Sequence, residues 1–222
     1  MAFSLPKYQQ LVQQIEAICL KKQRNPAEIK ILAATKYASL DDTQQAIQAG
    51  ITLIGENKIQ DAQMKFAALS PVERHFIGHL QTNKVKLAVK LFDMIESVDS
   101  LKLAEAIDNE AKVVSKIMPV LLEVNIASDP KKFGFQEDEV ALALNKIESM
   151  KALKVYGLMA IIPFFEDVEQ ARTFFKRMKV LFDKTKKTYP YLITLSMGMS
   201  HDYAVAVEEG STEIRIGSLL FT

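Results

Sequence analysis

Short apolar runs and stretches of helical period alternate along the chain. Leu11, Ile15 and Ile18 recur at helix spacing and predict an opening amphipathic helix over residues 5 to 22, broken by Asn25-Pro26. The first apolar run, Lys30 to Thr35, is bounded by polar residues and predicts a strand buried on both faces. Ser39 through Ala49 reads as a helix, with Ser39 as its cap, Asp41 and Asp42 in its first turn and Gly50 at its end. The same alternation predicts further strands over 52–55, 74–77, 94–98, 117–126, 155–161, 192–195 and 212–216. Helices are predicted over 57–69, 83–90, 100–112, 137–149, 167–187 and 202–209.

Strands alternating with helices call for a parallel sheet. Eight such units in 222 residues point to an α/β fold, a closed (β/α)8 TIM barrel with an extra N-terminal helix. An open doubly wound sheet is the alternative, but no G-x-G-x-x-G follows the first strand. No linker or composition shift divides the chain, so residues 1–222 are expected to form a single domain.

Charge and composition remove several function classes. Lys+Arg 28 against Asp+Glu 27 leaves a net charge of +1, so neither nucleic acid nor an anionic membrane is an expected partner. Met1 to Leu5 lacks the basic flank and apolar core of a secretory signal, and no apolar segment is long enough to cross a bilayer. Cys19 is the one cysteine, spaced with Ile15 and Ile18 as a packing residue, and a cytoplasmic location is expected. His75, His79 and His201 have no metal-ligand spacing, and no metal is expected.

In such barrels the site lies at the C-terminal ends of the strands. Strand one ends on Lys36, strand two on Gly55-Glu56-Asn57, and strand three on Gly78-His79-Leu80-Gln81. Strands four, five and six end in Ser97, Asn125 and Met159-Ala160. Strand seven runs into Ser196-Met197-Gly198-Met199-Ser200, and strand eight ends in Arg215-Ile216-Gly217-Ser218. A glycine/serine turn ahead of a helix start at 196–200 and a second, Gly217-Ser218, after the last strand lie on one rim and favour a bound phosphate over turns that merely permit tight connections. Lys36 on that rim reads either as a snorkelling surface charge or as an amine that forms an imine with a carbonyl. Phosphate plus reactive lysine suits pyridoxal phosphate. It equally suits a phosphorylated sugar on an aldolase-type lysine, and spacing does not separate the two.

A set of motifs occurs in order along nearly the whole chain. They are Ala33-Ala34-Thr35-Lys36, Ile54-Gly55-Glu56-Asn57, His75-Phe76-Ile77-Gly78-His79-Leu80-Gln81-Thr82-Asn83-Lys84 and Val98-Asp99-Ser100. Then come Glu123-Val124-Asn125-Ile126, Lys132-Phe133-Gly134-Phe135, Gly157-Leu158-Met159-Ala160, Leu195-Ser196-Met197-Gly198-Met199-Ser200 and Arg215-Ile216-Gly217-Ser218. In these motifs the chain resembles the pyridoxal phosphate homeostasis family, also called the YggS or proline synthetase co-transcribed family. It departs at Thr82, where serine is common, at Lys58, where an aromatic is common, and in ending on Phe221-Thr222.

The resemblance implies a barrel of the alanine racemase N-terminal type and pyridoxal 5'-phosphate as cofactor. It implies that Lys36 forms the internal aldimine, that Ser200, Gly217 and Ser218 hold the phosphate, and that Asn57 neighbours the ring. Arg215 is implied to face the pyridine nitrogen and keep it unprotonated, weakening the ring as an electron sink. The implied role is to hold the cofactor and maintain intracellular vitamin B6 and amino-acid/keto-acid balance, without a defined catalytic reaction. Apo-enzymes that use pyridoxal phosphate are the implied partners, and the chain is expected to be a monomer or weak dimer. The alternative is a single-domain pyridoxal-phosphate-dependent amino-acid racemase. The all-β domain that gives racemases an opposing tyrosine is not expected here, which leaves Lys36 without a partner acid.

Overall fold

The computed structural model describes residues 2–222. Eight parallel strands close into a barrel in sequential order: β1 (Lys30–Ala34), β2 (Leu53–Glu56), β3 (Glu73–Phe76), β4 (Met94–Val98), β5 (Met118–Glu123), β6 (Leu153–Met159), β7 (Thr194–Met199) and β8 (Glu213–Ile216). Closure comes from β1 pairing with β8, in a register that sets Lys30 beside Glu213 and Leu32 beside Arg215. Helices α1 (Leu5–Lys21), α2 (Leu40–Gln48), α3 (Ile59–Phe66), α4 (Val85–Leu91), α5 (Leu101–Val113), α6 (Val140–Ile147), α7 (Arg172–Thr188) and α8 (Tyr203–Glu208) alternate with the strands. This is the expected barrel with its extra leading helix.

Local chemistry sets where the helices begin. Ser39 Oγ accepts from the Asp42 amide at 3.1 Å and starts α2, and Ser100 Oγ accepts from Leu103 and starts α5. The extra helix is tied down at both ends. Ala2 donates to the Thr222 carbonyl at 2.7 Å, and Arg24 Nη2 reaches the Ser211 carbonyl at 2.8 Å.

Elements also end where side chains compete for backbone groups. The fifth strand stops at Glu123 rather than running to residue 126, because the Asn125 side chain engages the Asp129 carbonyl at 2.7 Å and the Asp129 amide at 3.0 Å. The helix expected from Asn57 starts at Ile59, which leaves Asn57 on the rim. The seventh strand continues to Met199, so Ser196 to Met199 belongs to the sheet and does not form the expected flexible turn. Its register shifts between Ser196 and Met199, and Gly198 takes a φ of +94° within that shift. A Cβ at Gly198 would meet the Ala206 Cβ at 2.5 Å, so this glycine serves a bulge packed on α8.

Most of the apolar core lies between the sheet and the helices, drawing on Ile54, Phe76, Ile95, Val120, Leu122, Leu158, Leu195, Ile214 and Ile216 from the strands. The bore is different. A separate small cluster, Met94, Leu121 and Met159, fills part of it, and the alternating partners of these residues, Glu96 and Glu123, are buried carboxylates. In β8, Glu213 and Arg215 alternate with Ile214 and Ile216 in the same way, placing two ionisable side chains on the inner face.

The tightest approach in the sheet is at Gly157, where an added Cβ would lie 1.7 Å from the Thr194 carbonyl oxygen of the paired strand. Gly157→Ala should therefore force β6 and β7 apart and cost about 3 kcal/mol or more, by the logic of overpacking. A thermal melt of the variant checks this, and a wild-type melting temperature would contradict the close packing described.

Candidate functional site

A cavity of about 660 Å³ opens at the C-terminal mouth of the barrel. Lys36, Asn57, Ser200, Arg215, Gly217 and Ser218, drawn from four strand ends, all line it. The structure thus brings the six residues assigned to the cofactor to one cavity, while Gln81, Ser97, Met159 and Ala160 of the other strand ends do not line it. It also adds Tyr37, His79, Glu123, Lys132 and Phe133.

Lys36 lies in the turn two residues beyond the end of β1, which stops at Ala34. The turn itself is rigidly held. The Thr35 amide donates to the Gly55 carbonyl at 2.9 Å, and Thr35 Oγ1 donates to Glu56 Oε1 at 2.7 Å. Lys65 Nζ donates to Glu56 Oε1 at 2.8 Å and to the Thr35 carbonyl at 2.7 Å. This knot anchors the backbone on the N-terminal side of Lys36, while the Lys36 side chain remains exposed at the mouth with Nζ 5.2 Å from the Tyr37 ring centre.

The cavity wall formed by the ends of β7 and β8 is built to receive negative charge. Ser200 Oγ accepts from the amides of Gly217 at 3.1 Å and Leu219 at 3.3 Å. A hydroxyl has two lone pairs and one proton, so with both lone pairs engaged its remaining capacity is to donate. No acceptor among the described residues takes that proton, nor the amides of Ser200 and Ser218. Gly217 keeps the wall open: a Cβ there would meet only Ala34, at 3.5 Å, so the space it leaves is not demanded by protein packing. The expected anion site at the start of the last helix is narrower than its sequence suggests, because α8 has six residues and the Asp202 carboxylate already accepts from the Met199 amide at 2.6 Å. Asn57 Oδ1 is buried at the cavity without a hydrogen-bond partner.

Below the cavity the bore carries a chain of hydrogen-bonded ionisable groups. Arg215 donates through Nη1 to the Ser196 carbonyl at 2.9 Å and Oγ at 2.7 Å, and through Nη2 to the Ala160 carbonyl at 2.8 Å. Ser196 Oγ donates to Glu96 Oε2 at 2.7 Å. Glu96 Oε1 lies 2.7 Å from His75 Nδ1, and His75 Nε2 lies 3.0 Å from Glu73 Oε1. Burial opposes charge on His75, but the hydrogen bonds to Glu73 and Glu96 prevail and push it up to about 10. Burial likewise opposes charge on Glu96, and His75, Arg215 and Ser196 together hold it below the usual carboxylate range. Glu213, also buried here, makes no hydrogen bond among the described residues; burial and then the Glu96 charge push its carboxyl up to about 8, so it is neutral at pH 7. Donor atoms of His75, Glu96 and Glu213 lie within 4.8 Å of one another. The imidazole, however, spends both nitrogens on carboxylates, so a metal ion would have to displace one of them.

The rim of the cavity holds groups the strand-end reading did not assign. Glu123 is buried, and desolvation followed by the nearby Asp99 charge pushes its carboxyl up to about 7 against the pull of Arg215 and Lys132. His79 is oriented by Asp99 at 3.1 Å and stacks on Phe133 with ring centres 3.6 Å apart. The signal for Glu213 and Arg215 is present in the sequence, as charged residues alternating with isoleucine in β8, and Glu96 stands as the one charged residue of β4.

Comparison with known proteins places this geometry. The family described as alanine racemase, N-terminal domain, matches residues 11–222. The chain is 35% identical over 214 residues to the pyridoxal phosphate homeostasis protein of Aquifex aeolicus, covering 95% of this chain and 94% of that one. A crystal structure of an unknown protein from Bifidobacterium adolescentis superposes with a TM-score of 0.91 at 30% identity, covering 98% and 94% of the two chains. PipY of Synechococcus elongatus PCC7942, solved with PLP bound, superposes with a TM-score of 0.81 at 29% identity, covering 94% of this chain and all of that one.

The bore network should make stability depend on pH with an unusual sign. His75 and Glu213 ordinarily titrate near 6.5 and 4.5, and folding raises them to about 10 and about 8. The folded protein therefore keeps both protons longer than the unfolded chain does. Stability falls as pH rises, first between 4.5 and about 8 through Glu213, then between 6.5 and about 10 through His75. Thermal melts from about pH 6 to about pH 9.5 should show a steadily falling midpoint, and Glu213→Gln should flatten the lower part of that slope. A midpoint independent of pH in this window would contradict the proton placement.

Proposed function

The chain belongs to the family of alanine racemase N-terminal domains, in the branch whose members are called pyridoxal phosphate homeostasis proteins, and from that premise we propose that residues 1–222 form one domain that binds pyridoxal 5'-phosphate and maintains its intracellular supply. The observation that carries this reading is one cavity with a lysine amine at one side and unspent hydroxyl and amide donors at another. Its volume of about 660 Å³ is ample for a ligand of this size.

The residues present fit the cofactor. When bound, pyridoxal phosphate supplies an aldehyde that condenses with a primary amine, a ring nitrogen, and a phosphate dianion. Lys36 presents the amine from a turn whose backbone is fixed by Thr35, Glu56 and Lys65. Ser200 donates its free proton toward the phosphate, with the amides around Gly217 and Ser218 adding donors without the bulk of a side chain at Gly217. Arg215, which can only donate, would face the ring nitrogen and leave it unprotonated. Asn57 lies beside the ring, where its unpartnered amide oxygen finds a use. The protein acts in the cytoplasm as a monomer or weak dimer, and its recipients are apo-enzymes that use the same cofactor, which links it to vitamin B6 and amino-acid/keto-acid balance.

One observation favours a second reading, a single-domain amino-acid racemase. Glu123 opens on the same cavity as Lys36 with its carboxyl pushed up to about 7, suited to a second acid/base. Catalytic exchange of an amino-acid α-proton in deuterated water, abolished by Glu123→Gln, would establish that activity; absence of exchange leaves the binding role alone.

Titrating the protein with pyridoxal phosphate should generate a visible absorption band that Lys36→Ala abolishes. Ser200→Ala should keep the band but weaken affinity about tenfold or more, the cost of one hydrogen bond to a charged group. Pyridoxal lacking the phosphate should bind the two proteins alike. A band that persists in Lys36→Ala would overturn the assignment.

A further inference from the structure

The contacts beneath the cavity fix the direction of donation from Arg215 to Glu96. Arg215 can only donate, so Ser196 Oγ accepts from it and must give its own proton to Glu96. Both Glu96 oxygens are then used, one by Ser196 and one by His75. His75 sets one nitrogen 2.7 Å from Glu96 and the other 3.0 Å from Glu73, whose side chain is 43% exposed at the opposite end of the bore, and with its pKa pushed up to about 10 it donates to both. The charges along the path alternate, positive on Arg215, negative on Glu96, positive on His75 and negative on Glu73. Their sum is zero, which is what allows the path to be buried.

Arg215 is the one member of this chain that also lines the cavity. Its guanidinium is clamped from β6 and β7, and the Glu96 charge sits one hydroxyl away. We propose that Glu96, acting through Ser196, is the positioning residue for Arg215: it fixes the direction in which the guanidinium faces the cavity and offsets part of its positive charge. Glu96 never reaches the ligand. It sets the field the ligand experiences, and through His75 that setting extends to the far end of the barrel. This inference rests on the cofactor reading above, since a bound chromophore is what reports the field.

The test uses the whole chain in four forms, wild type, Glu96→Gln, Glu96→Asp and Ser196→Ala, each titrated with pyridoxal phosphate across pH. Replacing a carboxylate by an amide leaves the Arg215 charge less offset, which disfavours a proton held near it. The pH midpoint of the absorption band should therefore fall by about half a unit or more in Glu96→Gln, with affinity reduced less than by Ser200→Ala. Glu96→Asp, which restores the charge on a shorter arm, should recover part of the shift. Ser196→Ala keeps the Glu96–His75 pair and cuts only the link to Arg215, so its band should also move. If Glu96→Gln does not fold, Ser196→Ala carries the test alone. A band and pH midpoint equal to wild type in the folded variants would overturn the positioning role. A wild-type protein that develops no band would instead overturn the cofactor reading, so the two failures are distinguishable.

Discussion

Charged groups inside a barrel are tolerable only in pairs, and that condition organises this molecule from the floor of the bore to the cavity above it. An unpaired buried ion costs several kcal/mol or more, whereas a paired and hydrogen-bonded one is close to neutral in its effect. Glu96 meets the condition for both of its neighbours: it accepts from His75 on one side and from Ser196, and through it Arg215, on the other. Glu213 meets it differently, by staying protonated. The usual filling of a barrel of this kind is layers of branched apolar side chains. Here a small apolar cluster shares the bore with the ion chain, and the upper end of that chain is part of the site.

The site combines side chains held by internal contacts with donors left free for a ligand. Arg215 is held by three contacts, and the turn that carries Lys36 at the mouth is anchored through the Thr35–Glu56–Lys65 knot. Ser200 and the turn after β8 offer hydroxyl and backbone donors that no acceptor among the described residues takes up. The loop after β5 is stapled by Asn125 and presents Phe133 to His79 at the entrance. Such a site suits a protein that binds a reactive aldehyde firmly at its two ends and still exposes it to the outside.

Much of the fold was legible because short strand-like runs alternate with segments of helical period, and some of the helices carry clear caps. Met94 to Val98 coincides with its predicted strand, and Ser39 and Ser100 start their helices as read. The differences fall where a side chain competes with the backbone for hydrogen bonds. Asn125 ends a strand three residues early, and the stretch from Ser196 to Met199 stays in the sheet because a bulge at Gly198 lets the strand bend onto α8 instead of breaking. Glycine and serine at 196–200 looked alike as turn formers, yet only Ser200 reaches the rim.

What the sequence determined by itself is the list of parts: eight strand–helix units, a lysine after the first strand, and glycine, serine and arginine after the last two. Those follow from hydrophobic period and turn chemistry, which are local. Tertiary structure decided which polar groups inside the strands meet one another. His75, Glu96, Ser196, Glu213 and Arg215 come from four strands and up to 140 residues apart in number, counting from His75 to Arg215 (215 − 75). Closure of the barrel brings them together, because pairing of β1 with β8 turns a row of strands into a bore with a shared interior. Their proton positions and charges depend on that shared, water-poor space, a property of the closed barrel that no single stretch of the chain possesses.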